Sequence, residues 1–213
     1  MHCARAASAT VVAIMALGLL VGCSRSLGPT PQATTPAQTA MLLTPADMPS
    51  GYQLANRTDN MPLPIQSASQ PSACTVGVNS AVSGSNTPTA AVEFSKDATH
   101  PLIDETITTT TTAQARTALD RLTVSLTQCP KTRTVNGTTV TITSITVPTL
   151  GDQSYGIQMT SGTGPAEVIA QMISIRKGAA LATVITTTLG SPSAGDSNLS
   201  QALARAAADR LQG

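Results

Sequence analysis

The chain has 213 residues and a formal net charge of +1. One domain of ordinary size fits that length, with a core large enough to hide about two-thirds of the unfolded surface. Twelve Lys and Arg face eleven Asp and Glu, and no basic stripe stands out, so nucleic acid is excluded as a partner. Tyr52, Phe94 and Tyr155 are the only aromatic residues, which leaves few platforms for stacking bases or sugar rings.

The N-terminus reads as an export signal. Residues 1–8 carry Arg5 and His2, and residues 9–22 form the uncharged apolar run ATVVAIMALGLLVG. The run ends in Leu20-Val21-Gly22-Cys23, the pattern of a bacterial lipobox. Its chemistry needs a thiol to accept diacylglycerol and a small residue at the scissile bond before it. Cys23 is therefore the expected lipidation site, and residues 1–22 the cleaved signal peptide. The rival reading is an uncleaved membrane helix. It suffers from length: about 14 strictly apolar residues span roughly 21 Å, against a hydrocarbon core of about 30 Å. Two or three acyl chains hold a protein firmly where one holds it marginally. The expected location is the extracytoplasmic face of the cell membrane, and the membrane is the first expected partner.

Lipidation simplifies the cysteines. Cys3 leaves with the signal and Cys23 is acylated, so Cys74 and Cys129 remain in a compartment where disulfides persist. A bridge closing about 55 residues contributes roughly 4 kcal/mol in the chain-entropy account. A two-thiolate metal site is the other possibility, and it is disfavoured because His100 is the sole histidine after the signal. No metal and no cofactor are expected.

Residues 23–40 are rich in Pro, Thr, Ser and Gln without hydrophobic period, and read as an extended, flexible tether. The folded domain is expected over residues 41–213. Thr44 and Pro45 suit a helix N-cap and first position. Residues 52–55 read as a strand and 72–82 as a short helix carrying Cys74. Residues 90–96 and 102–110 read as paired strands. Residues 112–128 make the strongest helix, with Ala115, Leu119, Leu122 and Leu126 on one stripe ended by Cys129 and Pro130. Asn136-Gly137 then joins a strand at 132–135 to one at 138–147. Val140 and Ile142 share one phase while Ile145 and Val147 take the other, which predicts a β-bulge near Thr143. Strands follow at 155–160, 166–176 and 181–188, separated by turns at Gly162-Thr163-Gly164-Pro165 and Lys177-Gly178. A final helix over 197–211, capped by Asp196 or Ser197, would turn Leu199, Leu203, Ala206 and Ala207 inward. The sum is an α+β fold: a single twisted antiparallel sheet flanked by helices.

His100 with Asp97, Asp104 and Glu105 is the one cluster mixing imidazole and carboxylates. It lacks a nucleophile elbow and any recognised metal-ligand spacing, so it reads as a solvated strand connection. Gly162-Thr163-Gly164 lacks the continuation of a dinucleotide fingerprint and reads as a turn. The threonines of 106–112 suit an exposed strand face, where a carbohydrate-binding face is the functional alternative.

The lipobox, the polar tether and the domain opening Leu42-Leu43-Thr44-Pro45-Ala46-Asp47-Met48-Pro49-Ser50-Gly51-Tyr52 resemble mycobacterial sensor-domain lipoproteins, relatives of the PknH-type kinase extracellular domain. The helix ending in Cys129, with Cys74 upstream, fits the same layout. The resemblance implies an antiparallel sheet with flanking helices and a ligand groove between them. This chain departs from it in having no Trp and a single possible disulfide, and no binding residue is carried over. The expected function is a non-catalytic envelope lipoprotein that binds a small molecule, lipid or cell-wall component. The alternative is a protein-interaction or scaffolding lipoprotein.

Overall fold

The computed structural model describes residues 35–55, 89–97, 100–128, 130–135, 138–163, 167–190 and 194–211. The expected signal peptide, Cys23, the 72–82 helix, Cys74 and Cys129 lie outside the described residues.

Among the described residues eight strands build one antiparallel sheet: β1 (Gln53–Leu54), β2 (Thr89–Ser95), β3 (Leu102–Thr109), β4 (Thr132–Val135), β5 (Thr138–Ile145), β6 (Gln153–Ser161), β7 (Val168–Lys177) and β8 (Ala180–Leu189). Their order across the sheet is β1-β2-β3-β8-β7-β6-β5-β4. Three α-helices accompany them among the described residues: α1 (Pro36–Met41), α2 (Thr112–Gln128) and α3 (Ala194–Arg210), with a 3-10 turn, η1, at Pro45–Asp47. After β3 the chain crosses the sheet as α2, reaches the far edge as β4, and returns by a meander that seats β8 against β3. The expected α+β architecture is the one observed.

Both faces of the sheet are covered, and this explains its sequence. On one face α2 sets Ala115, Ala118, Leu119 and Leu122 against Val140, Ile142, Ile157, Met159, Met172 and Ile185. On the other, the N-terminal segment and α3 bury Leu42, Leu43, Phe94, Ile103, Ile107, Ile173, Leu203, Ala204 and Ala207. Strands β7 and β8 lie under both layers, so they are buried at nearly every position and their apolar runs barely alternate. Gly178, with φ of 57°, opens the two-residue turn between them.

Two-sided burial also corrects the expected bulge at Thr143. Pairing of β5 with β6 runs unbroken from Val140↔Ser161 to Ile145↔Gly156. Val140 and Ile142 enter the α2 layer, whereas Ile145 and Val147 join the opposite layer. The change of phase in the sequence marks a change of core, with no extra residue in the strand. Ile145 and Val147 fold over Gly156, where a Cβ would stand 2.6 Å from Val147 Cγ1 and 2.8 Å from Ile145 Cγ1.

Two further expectations are revised. Residues 36–40, read as tether, lie in α1, whose N-cap Thr35 and Gln38 exchange capping-box hydrogen bonds. The buried Gln38 also donates to Thr109 Oγ1 of β3 at 3.3 Å. Helix α3 starts at Ala194, so Asp196 and Ser197 lie within it rather than capping it. Its buried stripe is Ser200, Leu203, Ala204, Ala207 and Ala208, followed by Leu211; Leu199 and Ala206 are half-buried at its margins. The small alanines let the helix backbone approach the sheet closely.

Candidate functional site

The sequence cluster of Asp97, His100, Asp104 and Glu105 is divided by the strand period. Asp97 and His100 sit in the β2–β3 connection, where Asp97 Oδ1 lies 2.7 Å from His100 Nδ1 with both side chains well exposed. The Tyr52 ring meets the imidazole edge-on, with centroids 6.4 Å apart. Asp104 and Glu105 are neighbours on β3 and so point to opposite faces. Asp104 stands directly across from Glu93 of β2 on the α2 side of the sheet. Glu105 faces the other way, into the layer formed by the N-terminal segment and α3. No group of three or more metal-ligating side chains occurs among the described residues.

Glu105 is wholly buried. Its sheet neighbours are Val92 and Val184, both apolar. The Leu43 N–H donates to Oε2 at 2.6 Å, while Oε1 finds no hydrogen-bond partner among the described residues. Burial pushes this carboxyl up to about 7; the Leu43 N–H and the Arg210 cation oppose the rise, and the Asp47 carboxylate adds to it.

Next to it, the N-terminal segment is pinned to the last turn of α3. Arg210 Nη2 lies 2.7 Å from Asp47 Oδ2, and the same guanidinium donates to Thr44 Oγ1 at 3.0 Å. Asp47 Oδ2 also accepts from the Thr44 N–H at 2.7 Å and from its hydroxyl at 2.8 Å. Burial alone would raise the Asp47 carboxyl, but the Thr44 hydrogen bonds and Arg210 outweigh it and hold it below the usual range. Thr44 and Pro45 thus begin a helical turn, as their sequence predicts.

A second polar arrangement lies under α3. Ser200 Oγ donates to Gln171 Oε1 at 2.8 Å, and Gln171 Nε2 donates to Gln158 Oε1 at 3.2 Å. With the serine proton committed to Gln171, the Thr186 hydroxyl is the donor in its 2.5 Å contact with Ser200 Oγ. This chain of amides and hydroxyls crosses β8, β7 and β6 and leads outward from the helix. On that face α3 packs on β7 and β8. Beyond it the strip over β5 and β6 presents Thr139, Thr141 and Thr143 to solvent, with Gln158 and Thr160 half-buried. The helix is a wall and the strip a neutral floor rich in hydrogen-bonding groups. Such a surface can hold a polar, uncharged group by side-chain hydrogen bonds; it offers no nucleophile–base pair.

Sequence reasoning missed Gln158, Gln171, Thr186 and Ser200. A lone Gln inside the apolar run of β7, and a Ser on the inner stripe of α3, were the available signals. Replacing Ser200 with Ala leaves Thr186 and Gln171 short of a buried partner, and the expected cost is about 1–3 kcal/mol in chemical denaturation.

Among the described residues no helix is long and apolar enough to cross a membrane. The search of solved structures finds the extracellular domain of PknH from Mycobacterium tuberculosis, with a TM-score of 0.59 and 15% sequence identity. The match covers 87% of this chain and 99% of that one. The two share a fold. No known protein family matches the sequence, and no curated protein matches it either. At that identity the likeness concerns backbone architecture, so the polar strip beside α3 and the Glu105 cluster stand on this chain's own geometry. The expectation of a PknH-like sheet with flanking helices holds.

Proposed function

We propose that the protein is a lipid-anchored, extracytoplasmic, non-catalytic sensor-like domain that binds a small molecule, lipid or cell-wall component. The observation that carries this reading is the fold shared with a kinase's extracellular domain over almost all of that domain's length. Anchoring through Cys23 rests on the lipobox and its place at the end of an apolar run. The floor of Thr141, Thr143, Gln158 and Thr160 beside α3 is the favoured binding surface, because it is open, uncharged and fixed by sheet register.

One experiment in intact cells addresses both parts. A photocrosslinking residue at Thr143 should capture a small molecule, lipid or wall fragment identifiable by mass spectrometry. Capture of a protein alone would instead favour the scaffolding alternative, and an empty crosslinking record would count against the strip. In the same cells, Cys23→Ala should release the protein from membranes or halt its maturation. Continued membrane fractionation of this variant at the mature size would overturn the lipid anchor.

A further inference from the structure

The N-terminal segment, residues 35–54, is the part of the described domain that leads towards Cys23, and it is held to the rest by a short set of contacts. Leu42, Leu43 and Tyr52 are buried in the core layer they share with β2, β3 and α3. Gln38 donates to Thr109, Arg210 grips Asp47 and Thr44, the Leu43 N–H donates to Glu105, and Gln53 and Leu54 pair with Ser95 and Phe94 of β2. All but one of these contacts join neutral groups or pair the Arg210 cation. The Leu43–Glu105 contact is anomalous: a carboxyl with no exposed surface, one oxygen satisfied by a single backbone N–H, the other without a partner among the described residues.

A neutral carboxyl in such a place costs one O–H without an acceptor among the described residues. An ionised one costs more, since a buried carboxylate needs several donors or a paired cation to offset the loss of water. The groups around it decide whether it is so supplied. From α3 the one cation acting on it is Arg210, which is already committed to Asp47 and Thr44. From η1 the nearby charge is Asp47, of like sign. From the sheet its direct neighbours are Val92 and Val184, and α1 has no ionisable side chain. At the far end of the segment Tyr52 abuts His100, whose ring pairs with Asp97. The simplest way for an ionised Glu105 to regain water is for the layer above it, residues 42–44, to lift.

We propose that Glu105 is a proton-operated latch: protonated, it keeps residues 35–54 docked on the sheet, and ionised, it favours their release while the remainder of the sheet stays folded. The latch couples the surrounding pH to whether residues 35–54 lie docked on the sheet. This inference does not depend on what the domain binds.

The sign and size follow from linkage. With the Glu105 carboxyl at about 7 when docked and near its ordinary 4.5 when released, raising the pH favours release. Between about pH 5.5 and about pH 8.5 the docking equilibrium should shift roughly thirtyfold. Hydrogen–deuterium exchange of the full chain tests this. Protection factors, corrected for intrinsic exchange, should fall by that order for amides of residues 36–54 while those of β6 and β7 hold steady. In Glu105→Gln, which keeps an acceptor for Leu43 and cannot ionise, the same amides should show no pH dependence. Three results would overturn the latch: flat protection of 36–54 in the unmodified chain, an equal loss across β6 and β7, or an unchanged pH response in Glu105→Gln. The unmodified chain alone decides the first two, whether or not the variant folds.

Discussion

Glutamine at position 105 should remove most of the domain's pH dependence between about pH 5 and pH 7. At pH 8 it should make the domain more stable than the natural chain, by at most about 2–3 kcal/mol less the cost of burying amide N–H groups without an acceptor. Glu105 is raised chiefly by burial, to about 7 from an ordinary 4.5. The folded state therefore binds the proton more tightly than the unfolded one. The stability this provides is complete below the unfolded value and is lost as pH rises through the folded value. Asp47 works in the opposite sense. Burial by itself would raise it, yet the Thr44 hydrogen bonds and Arg210 leave it lowered, so its contribution is present above the ordinary aspartate range and lost as the pH falls through its folded value. The natural chain should consequently be most stable in mildly acidic solution. Urea denaturation at a series of pH values checks both arms. A pH dependence between about pH 5 and pH 7 that survives in Glu105→Gln would show that the Glu105 carboxyl is not its source.

Phe94→Ala should be among the most damaging single changes, costing about 3–5 kcal/mol. Phe94 is the sole phenylalanine of the chain and has no exposed surface. It stands across from Ile103 in the register of β2 and β3, within the layer that also buries Leu42, Leu43 and Tyr52. Apart from Tyr52, that layer is built of aliphatic side chains, which cannot reproduce the shape of a lost ring. Phe94→Leu keeps much of the volume and should cost under about 1.5 kcal/mol. Thermal and urea midpoints of the two variants test the contrast. Near-equal losses would show that the ring fills no specific space.

Much of the architecture was legible because hydrophobic period is a local signal. Helix α2 falls at the expected residues, since Ala115, Leu119 and Leu122 recur at helical spacing and all reach the core. The strands emerge for the same reason. What period cannot tell is how many layers a strand faces. The switch from Val140 and Ile142 to Ile145 and Val147 is equally the mark of a bulge and of a sheet buried on both sides, and tertiary packing chose the second. Helix α1 was hidden by a composition typical of linkers, although Thr35, Pro36 and Gln38 spell a capping box.

The candidate sites were less legible than the fold. Asp104 and Glu105 are adjacent in the chain and separated by the whole thickness of the sheet. Glu105 acquires its character from Leu43 and Arg210, which stand 62 positions before it and far beyond it in sequence. Gln158, Gln171, Thr186 and Ser200 come from four elements and meet only once β6, β7, β8 and α3 are assembled. Composition carries no trace of such meetings.

The seat of β8 in the middle of the sheet has a kinetic consequence. Thr109 pairs with Ala180, about seventy positions on, and no strand between them in sequence can take that place. Until residues 180–189 are available, the chain is two separate ribbons, β1-β2-β3 and the meander from β4, each with an unsatisfied inner edge. Closure depends on a non-local event whose entropic cost falls on the rate of folding. Whatever withholds residues 180–189 therefore withholds closure of the whole sheet. The final strand and the helix behind it act as the closing stitch of the molecule.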